Sequence, residues 1–454
     1  MILFPIIYIL VFVYSLRDVL QHQLQGFVSF IIFGLSIYTV TLSVTYMLGY
    51  AAVLPALQVC KEFIALYTLG YSIYHLQKKM SWHSTDKLVI AFFVLTFLYV
   101  FLPLGSYSLS QKIVAFKSLS FFPVIYFAGR IINTRKIYIS KSLHYILILS
   151  VLSTLVLLYE VIRYTHLQTQ TGYAEYAYHF FEQPVEGSYG LSWTFEIEGG
   201  IKRFASFFAN PLEHATATLV AISAIAALIT TDRNTIRFNR FTILALGCTV
   251  FSIVFALSRA SFASYFILVY VYAFIAGFKQ ITKAFHIAAI VAAAAVLFFT
   301  IKGDLFEFIL NTIQFKNTSS AGHLLVWLDG IDAIIQHPLG LGLGEAGRIS
   351  AFTGYNTGGE NQFIIIGVQT GVAAMLLYIF IYAKLMQAAF QLFRHSKGKT
   401  KKLGLFILMI KVGLFIPLMT AEVESYTYIT YITWFFSGLL MNYVQQQKPI
   451  TTHA

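Results

Sequence analysis

Arg203, Arg259 and Arg348 stand out among the residues able to do chemistry, with Lys202 beside the first of them. A guanidinium is planar, stays charged and offers paired donors that match phosphate oxygens, so three of them near one surface suit an anionic group that must be gripped. In a desolvated cleft the same charges would stabilise negative charge developing in a transition state without requiring a metal. Glu360, directly before an apolar run, is placed to act as a base, since a partly desolvated carboxylate can have its pKa lifted towards neutrality. The other reading of Glu360 is as a partner of the helix start that follows it. His323 and His337 are rival bases, His214 a weaker one, and each also reads as an ordinary polar-face residue.

The elements that must position these groups are apolar. Of 454 residues 58% are hydrophobic and only 11% charged, which excludes a soluble multi-domain protein and requires lipid as solvent. A helix crossing a bilayer core needs about 20 apolar residues. Runs of that kind lie near 1–15, 26–48, 51–75, 87–105, 112–129, 142–163, 211–231, 240–258, 259–278, 284–301, 361–385, 403–420 and 425–445. The expectation is an all-α polytopic transmembrane bundle of about 12–13 spans, a single membrane domain over 1–454, with a tight hairpin at Ser258-Arg259. Met1 to Ser15 lacks a basic leading region and reads as a short first span. Cys60 and Cys248 both fall in apolar runs and read as packed thiols, and neither a zinc motif nor a metal site is visible.

The net charge of +12 is spread between spans and not gathered on a nucleic-acid-binding face. If the loop at 232–239 is cytoplasmic, nineteen of the 31 basic residues fall inside and eight outside, as the positive-inside rule requires. That orientation puts the C-terminus in the cytoplasm. It also makes 164–210 and 302–360 two long outer loops, both acidic, where function should concentrate. Within the second, Ala321 to Gln336 carries Leu324, Leu325, Trp327, Leu328, Ile331, Ile334 and Ile335 at helical spacing, which predicts an interfacial helix ended by Pro338 and the glycines that follow.

From Trp327 the chain reads WLDGIDAIIQHPLGLGLGE, and from Glu360 it reads ENQFIIIGVQTGVAAM. This order resembles the O-antigen ligase and Wzy polymerase superfamily: a Trp-bearing surface helix, a Pro-Leu-Gly-x-Gly turn, then a His-Asn pair with a spaced glycine at the start of a span. Asn361 and Gly371 keep the spacing, ALSRASF around Arg259 is similar to the family's Ser-Arg hairpin, and RFASFFANPLEHA from Arg203 to its Arg-bearing segment before Asn-Pro. The likeness spans roughly 201–385. Glu360 stands where the family's ligases usually have the histidine, and His323 where a basic residue, often Arg, precedes the Trp helix.

The resemblance implies a bacterial inner-membrane glycosyltransferase with a periplasmic active site, which uses an undecaprenyl-diphosphate-linked glycan and no cofactor. In that reading Arg203 and Arg259 hold the diphosphate, Arg348, Lys202 and His323 assist, Glu360 serves the acceptor hydroxyl, and Asn361 positions the loop. Polymerisation of repeat units is favoured by the missing histidine, with O-antigen ligase or protein O-oligosaccharyltransferase as alternatives. A chain-length regulator or flippase would be natural partners. A lipid-linked-sugar flippase is the competing class, but a transporter should gather its ionisable groups at the midplane, whereas here they concentrate in outer loops. Lys61, Glu62, Lys117, Glu160 and Lys411 lie within spans and require partners there; Glu422 and Glu424 follow the twelfth.

Overall fold

The computed structural model describes residues 1–76, 81–181, 186–197, 199–300, 318–347, 350 and 357–447. The chain folds as an all-α polytopic bundle. Its helices are α1 (Leu3–Leu20), α2 (Gln25–Ser29, continued by a π-turn Phe30–Gly34), α3 (Tyr38–Met47), α4 (Leu54–Tyr74), α5 (Ser84–Leu98), α6 (Leu109–Ser120), α7 (Phe122–Ile131) and α8 (Ile139–Arg163). After α9 (Leu167–Gln170) and α10 (Tyr173–Phe181) comes a two-stranded hairpin, β1 (Glu196–Ile197) and β2 (Ile201–Lys202). The remainder is α11 (Pro211–Ile229), α12 (Arg240–Phe255), α13 (Arg259–Ala276), α14 (Lys279–Thr300), α15 (Thr318–Gln336), α16 (Gln362–His395), α17 (Gly398–Thr420) and α18 (Thr427–Gln447).

Helix occupies each of the apolar runs read from the sequence. Among the described residues seven helices are long and apolar enough to cross a membrane, or nine if each of two bent pairs is one span. The bends have local causes. Between α6 and α7 the axis turns 45° where Pro123, at the start of α7, lacks the N–H that would continue the ladder. Between α2 and α3 it turns 62° after the π-turn that ends at Gly34. α11 is the most enclosed span, and α17 packs on α11, α13 and α16. α7 and α18 meet backbone to backbone: a methyl at Gly129 would lie 2.1 Å from the Phe435 carbonyl oxygen, and one at Gly438 1.9 Å from that of Tyr126. Such small-residue contacts let helices associate where lipid supplies no hydrophobic drive.

The Pro338–Gly347 turn is more than a helix stop. α16 is interrupted at Gly371 (φ 80°, ψ 171°), so Val372 N–H donates not to Val368 but to the Pro338 carbonyl at 3.0 Å. The freed carbonyls of Val368 and Gln369 accept from Leu341 N–H (2.7 Å) and Gly342 N–H (3.1 Å). The Gln369 side chain completes the junction, accepting from Gly344 N–H at 3.0 Å and donating to the Ala346 carbonyl at 2.8 Å. Every polar group of a broken intramembrane helix must find such a partner. A Cβ at Gly371 would lie 2.7 Å from the Pro338 oxygen, on a backbone that disfavours L side chains. Gly371→Val is therefore expected to destabilise the junction by roughly 2–4 kcal/mol, read as a lower melting temperature of the purified protein.

The helix expected over Ala321–Gln336 is present as α15. Leu325, Leu328, Ile331 and Ile335 are all exposed along it, while Gly330 lets it approach Gly358 and Ile364 at the start of α16. Short interfacial helices were expected in both long outer loops, and the 164–210 loop does hold the short helices α9 and α10; its hairpin was not foreseen from the sequence.

Candidate functional site

Arg203 follows β2 and is fixed by its own backbone: its N–H donates to the Phe195 carbonyl at 2.8 Å. The next residue decides the geometry. Phe204 N–H donates to the Phe255 carbonyl at 3.2 Å, which ties this loop to the end of α12, just before the α12–α13 hairpin. Leu257 takes a left-handed φ of 47° in that hairpin, and Ser258 caps α13 by accepting from Ser261 N–H. Arg259 is then the first residue of α13 and is exposed. A cation there opposes the positive end of the helix dipole, so helix stability gains nothing from it.

Glu360 is exposed, the last residue of the turn leading into α16. The helix start is served by Asn361 instead, whose buried side chain accepts from Phe363 N–H (3.0 Å) and Ile364 N–H (3.3 Å). The desolvation expected for Glu360 is thus not observed. Three elements distant in sequence nonetheless converge. Arg203 is half-buried, and burial lowers its pKa first; the positive charge of Arg259 lowers it further, while the carboxylate of Glu360 opposes both. Its Nε is enclosed without a hydrogen-bond partner among the described residues. Arg203 thus lies within electrostatic reach of both a second guanidinium, Arg259, and a carboxylate, Glu360.

Lys202 points elsewhere. Its Nζ donates to the Tyr164 carbonyl at 2.7 Å and lies 4.5 and 4.4 Å from the ring centres of Tyr164 and Tyr189, so it serves the hairpin through cation–π packing. Arg348 lies outside the described residues, as does the side chain of His323. His214 is buried, hydrogen-bonded to the Phe204 carbonyl (3.2 Å) and Ser153 Oγ (3.3 Å), which makes it part of the scaffold.

Sequence reading missed the residues that hold Arg203 in place. Glu160, fully buried at the end of α8, accepts from Leu167 N–H at 2.8 Å and Ser206 N–H at 2.7 Å. Ser206 adopts a left-handed φ of 53°, and its Oγ donates to the Ser153 carbonyl. Gln168 Nε2 donates to the carbonyls of Ser206 (2.8 Å) and Phe208 (2.9 Å). The only signal in the sequence was an apparently uncompensated charge in a span.

His166 lies under the same segment, 1% exposed among the rings of Tyr189, Phe195 and Phe204. Burial, and then the charge of Lys202, push its pKa down to about 4 from 6.5, against backbone groups of Arg203 and Phe195 that raise it. A histidine held neutral when folded binds its proton more readily unfolded, so this contribution is complete above pH 6.5 and is lost as pH falls towards 4. The loss is on the order of 2–3 kcal/mol. Limited proteolysis of the 164–210 loop should accelerate from neutral pH to about pH 5, and His166→Gln should remove that acid sensitivity.

Residues 243–379 match the O-antigen ligase family model. The matched stretch contains the Arg259 hairpin, α15, the glycine turn, Glu360 and Gly371, and bears out the likeness to the O-antigen ligase and Wzy-type superfamily; Arg203 lies before it. No curated protein matches the chain.

Proposed function

We propose that the protein is a Wzy-like polymerase of the bacterial inner membrane, joining oligosaccharide repeat units carried on undecaprenyl diphosphate. The observation that supports this reading is that Arg203 lies within electrostatic reach of both Arg259 and Glu360. The two guanidiniums grip the diphosphate of the donor, Arg348 and His323 completing the contact from the adjoining loop. An acceptor hydroxyl gives its proton to Glu360 and attacks the anomeric carbon from the face opposite the diphosphate. The new glycosidic bond forms as the bond from the anomeric carbon to the phosphate oxygen breaks, and undecaprenyl diphosphate leaves with the electron pair. Inversion follows from a single displacement, and neutralisation of the leaving group by arginine takes the part a metal plays in other transferases. The site faces the periplasm and the C-terminus the cytoplasm, and a chain-length regulator and a flippase work beside the enzyme.

The family's description as O-antigen ligase favours a second reading, transfer of finished glycan to a lipid A core; transfer to protein belongs to the same chemistry. Purified protein incubated with a defined lipid-diphosphate oligosaccharide separates them. Polymerisation yields longer lipid-linked products with no added acceptor. Products only on lipid A core or protein would replace the polymerase reading, and no transfer to any acceptor would defeat both.

A further inference from the structure

A cavity of about 190 Å³ opens beside the bend between α6 and α7, walled by α4 and the start of α18. Lys61 and Glu62, about two turns into α4, and Lys117, about two turns into α6, line it together with Phe121, Glu424 and Tyr431. Glu62 Oε1 accepts from both ammoniums, at 2.8 Å from Lys61 and 3.1 Å from Lys117. Its other oxygen, Oε2, is enclosed with no hydrogen-bond partner among the described residues, and so is the Tyr431 hydroxyl. Glu424 is by contrast saturated by Tyr378, Thr430 (3.1 Å) and Trp434 (2.9 Å), with Lys411 behind it on the Trp434 ring at 4.2 Å. Ionisable groups within a membrane span are costly even when paired, and they commonly mark a pathway or ligand site. The space holds about six waters by volume, enough for one sugar ring.

The chemistry selects the occupant. An anion would meet the unpartnered Glu62 oxygen, and a cation the two ammoniums. Hydroxyls suit these walls, because they donate to Glu62 Oε2 and accept from Lys117 or Tyr431, the three donors of Lys61 being taken by Glu62, Tyr38 and Gln58, while Phe121 and Tyr431, their ring centres 6.1 Å apart, offer apolar faces to a pyranose. Lys117 is half-exposed. We propose that this cavity is a saccharide subsite separate from the arginine cluster, which takes a neutral, hydroxyl-rich ring of the glycan on which the enzyme acts. Identification of that glycan rests on the function proposed above; the cavity's preference for hydroxyls does not.

Photo-crosslinking of the full chain in its native membrane tests it, with p-benzoylphenylalanine placed at Val114 or Ser118, which line the cavity, and at Val250, exposed on α12, as a lipid-facing control. Glycan-bearing adducts should form at Val114 and Ser118 severalfold above Val250, and Tyr431→Phe should lower them severalfold at matched protein level. Phospholipid adducts alone at the two cavity positions, or glycan adducts as abundant at Val250, would overturn the subsite. If adducts fail while Arg259→Ala abolishes elongation, the subsite falls and the proposed function stands. Glycan adducts in a protein whose Arg259→Ala form elongates normally would give the reverse.

Discussion

Arg259→Ala should lower elongation of lipid-linked glycan by about 100-fold or more in the purified protein, with melting temperature nearly unchanged. The size follows from what the proposed mechanism would lose: a preorganised charge on the departing diphosphate. The small stability effect follows from an exposed side chain at the unfavourable end of a helix dipole. Arg203→Ala should match it in rate, but with some loss of loop order, since Arg203 is half-buried. Lysine at either position restores charge without the planar paired donors, so recovery should be partial. If both residues hold one diphosphate, as proposed, the double variant should fall short of the product of the two single effects. Multiplicative losses would mean that the guanidiniums act on separate groups.

Glu360→Gln is expected to cost about 10²- to 10⁴-fold in kcat if the carboxylate receives the acceptor proton. The wild-type rate should rise with pH to a plateau as the base ionises, and that limb should vanish in the variant. A structural part for Glu360, confined to balancing the charge of Arg203, predicts something else: a raised KM for the donor with kcat preserved. Stability should move by no more than about 0.5 kcal/mol, because Glu360 is exposed and Asn361 caps the helix.

Hydropathy located the apolar helices because each is a local property of about 20 residues, although seven to nine of the described helices, against the 12–13 spans expected, are long and apolar enough to cross a membrane; the amphipathic pattern over Ala321–Gln336 located α15 for the same reason. The breaks at Phe121 and Gly371 were hidden by continuous apolar runs on both sides of them. Four glycines after Pro338 marked a stop; that they also let a turn lie backbone to backbone on a broken helix depends on Gly371, far along the chain. Within the candidate site, residue types marked Arg203, Arg259 and Glu360, but their meeting depends on long-range bonds such as Phe204 to Phe255 that no spacing announces. Lys202 shows the converse. Its charge and its place beside Arg203 suggested phosphate, and the tyrosines that engage it come from outside its own strand. Glu160 could be noticed as a buried charge, while its two amide partners, in separate parts of the loop, could not.

Binding of undecaprenyl diphosphate to the detergent-purified protein, followed by native mass spectrometry, tests the central claim without any need for turnover. The unaltered protein should retain the lipid, and the Arg203→Ala, Arg259→Ala double variant should lose it while staying folded and monodisperse. Equal retention by both proteins would contradict the claim that these two guanidiniums hold the diphosphate.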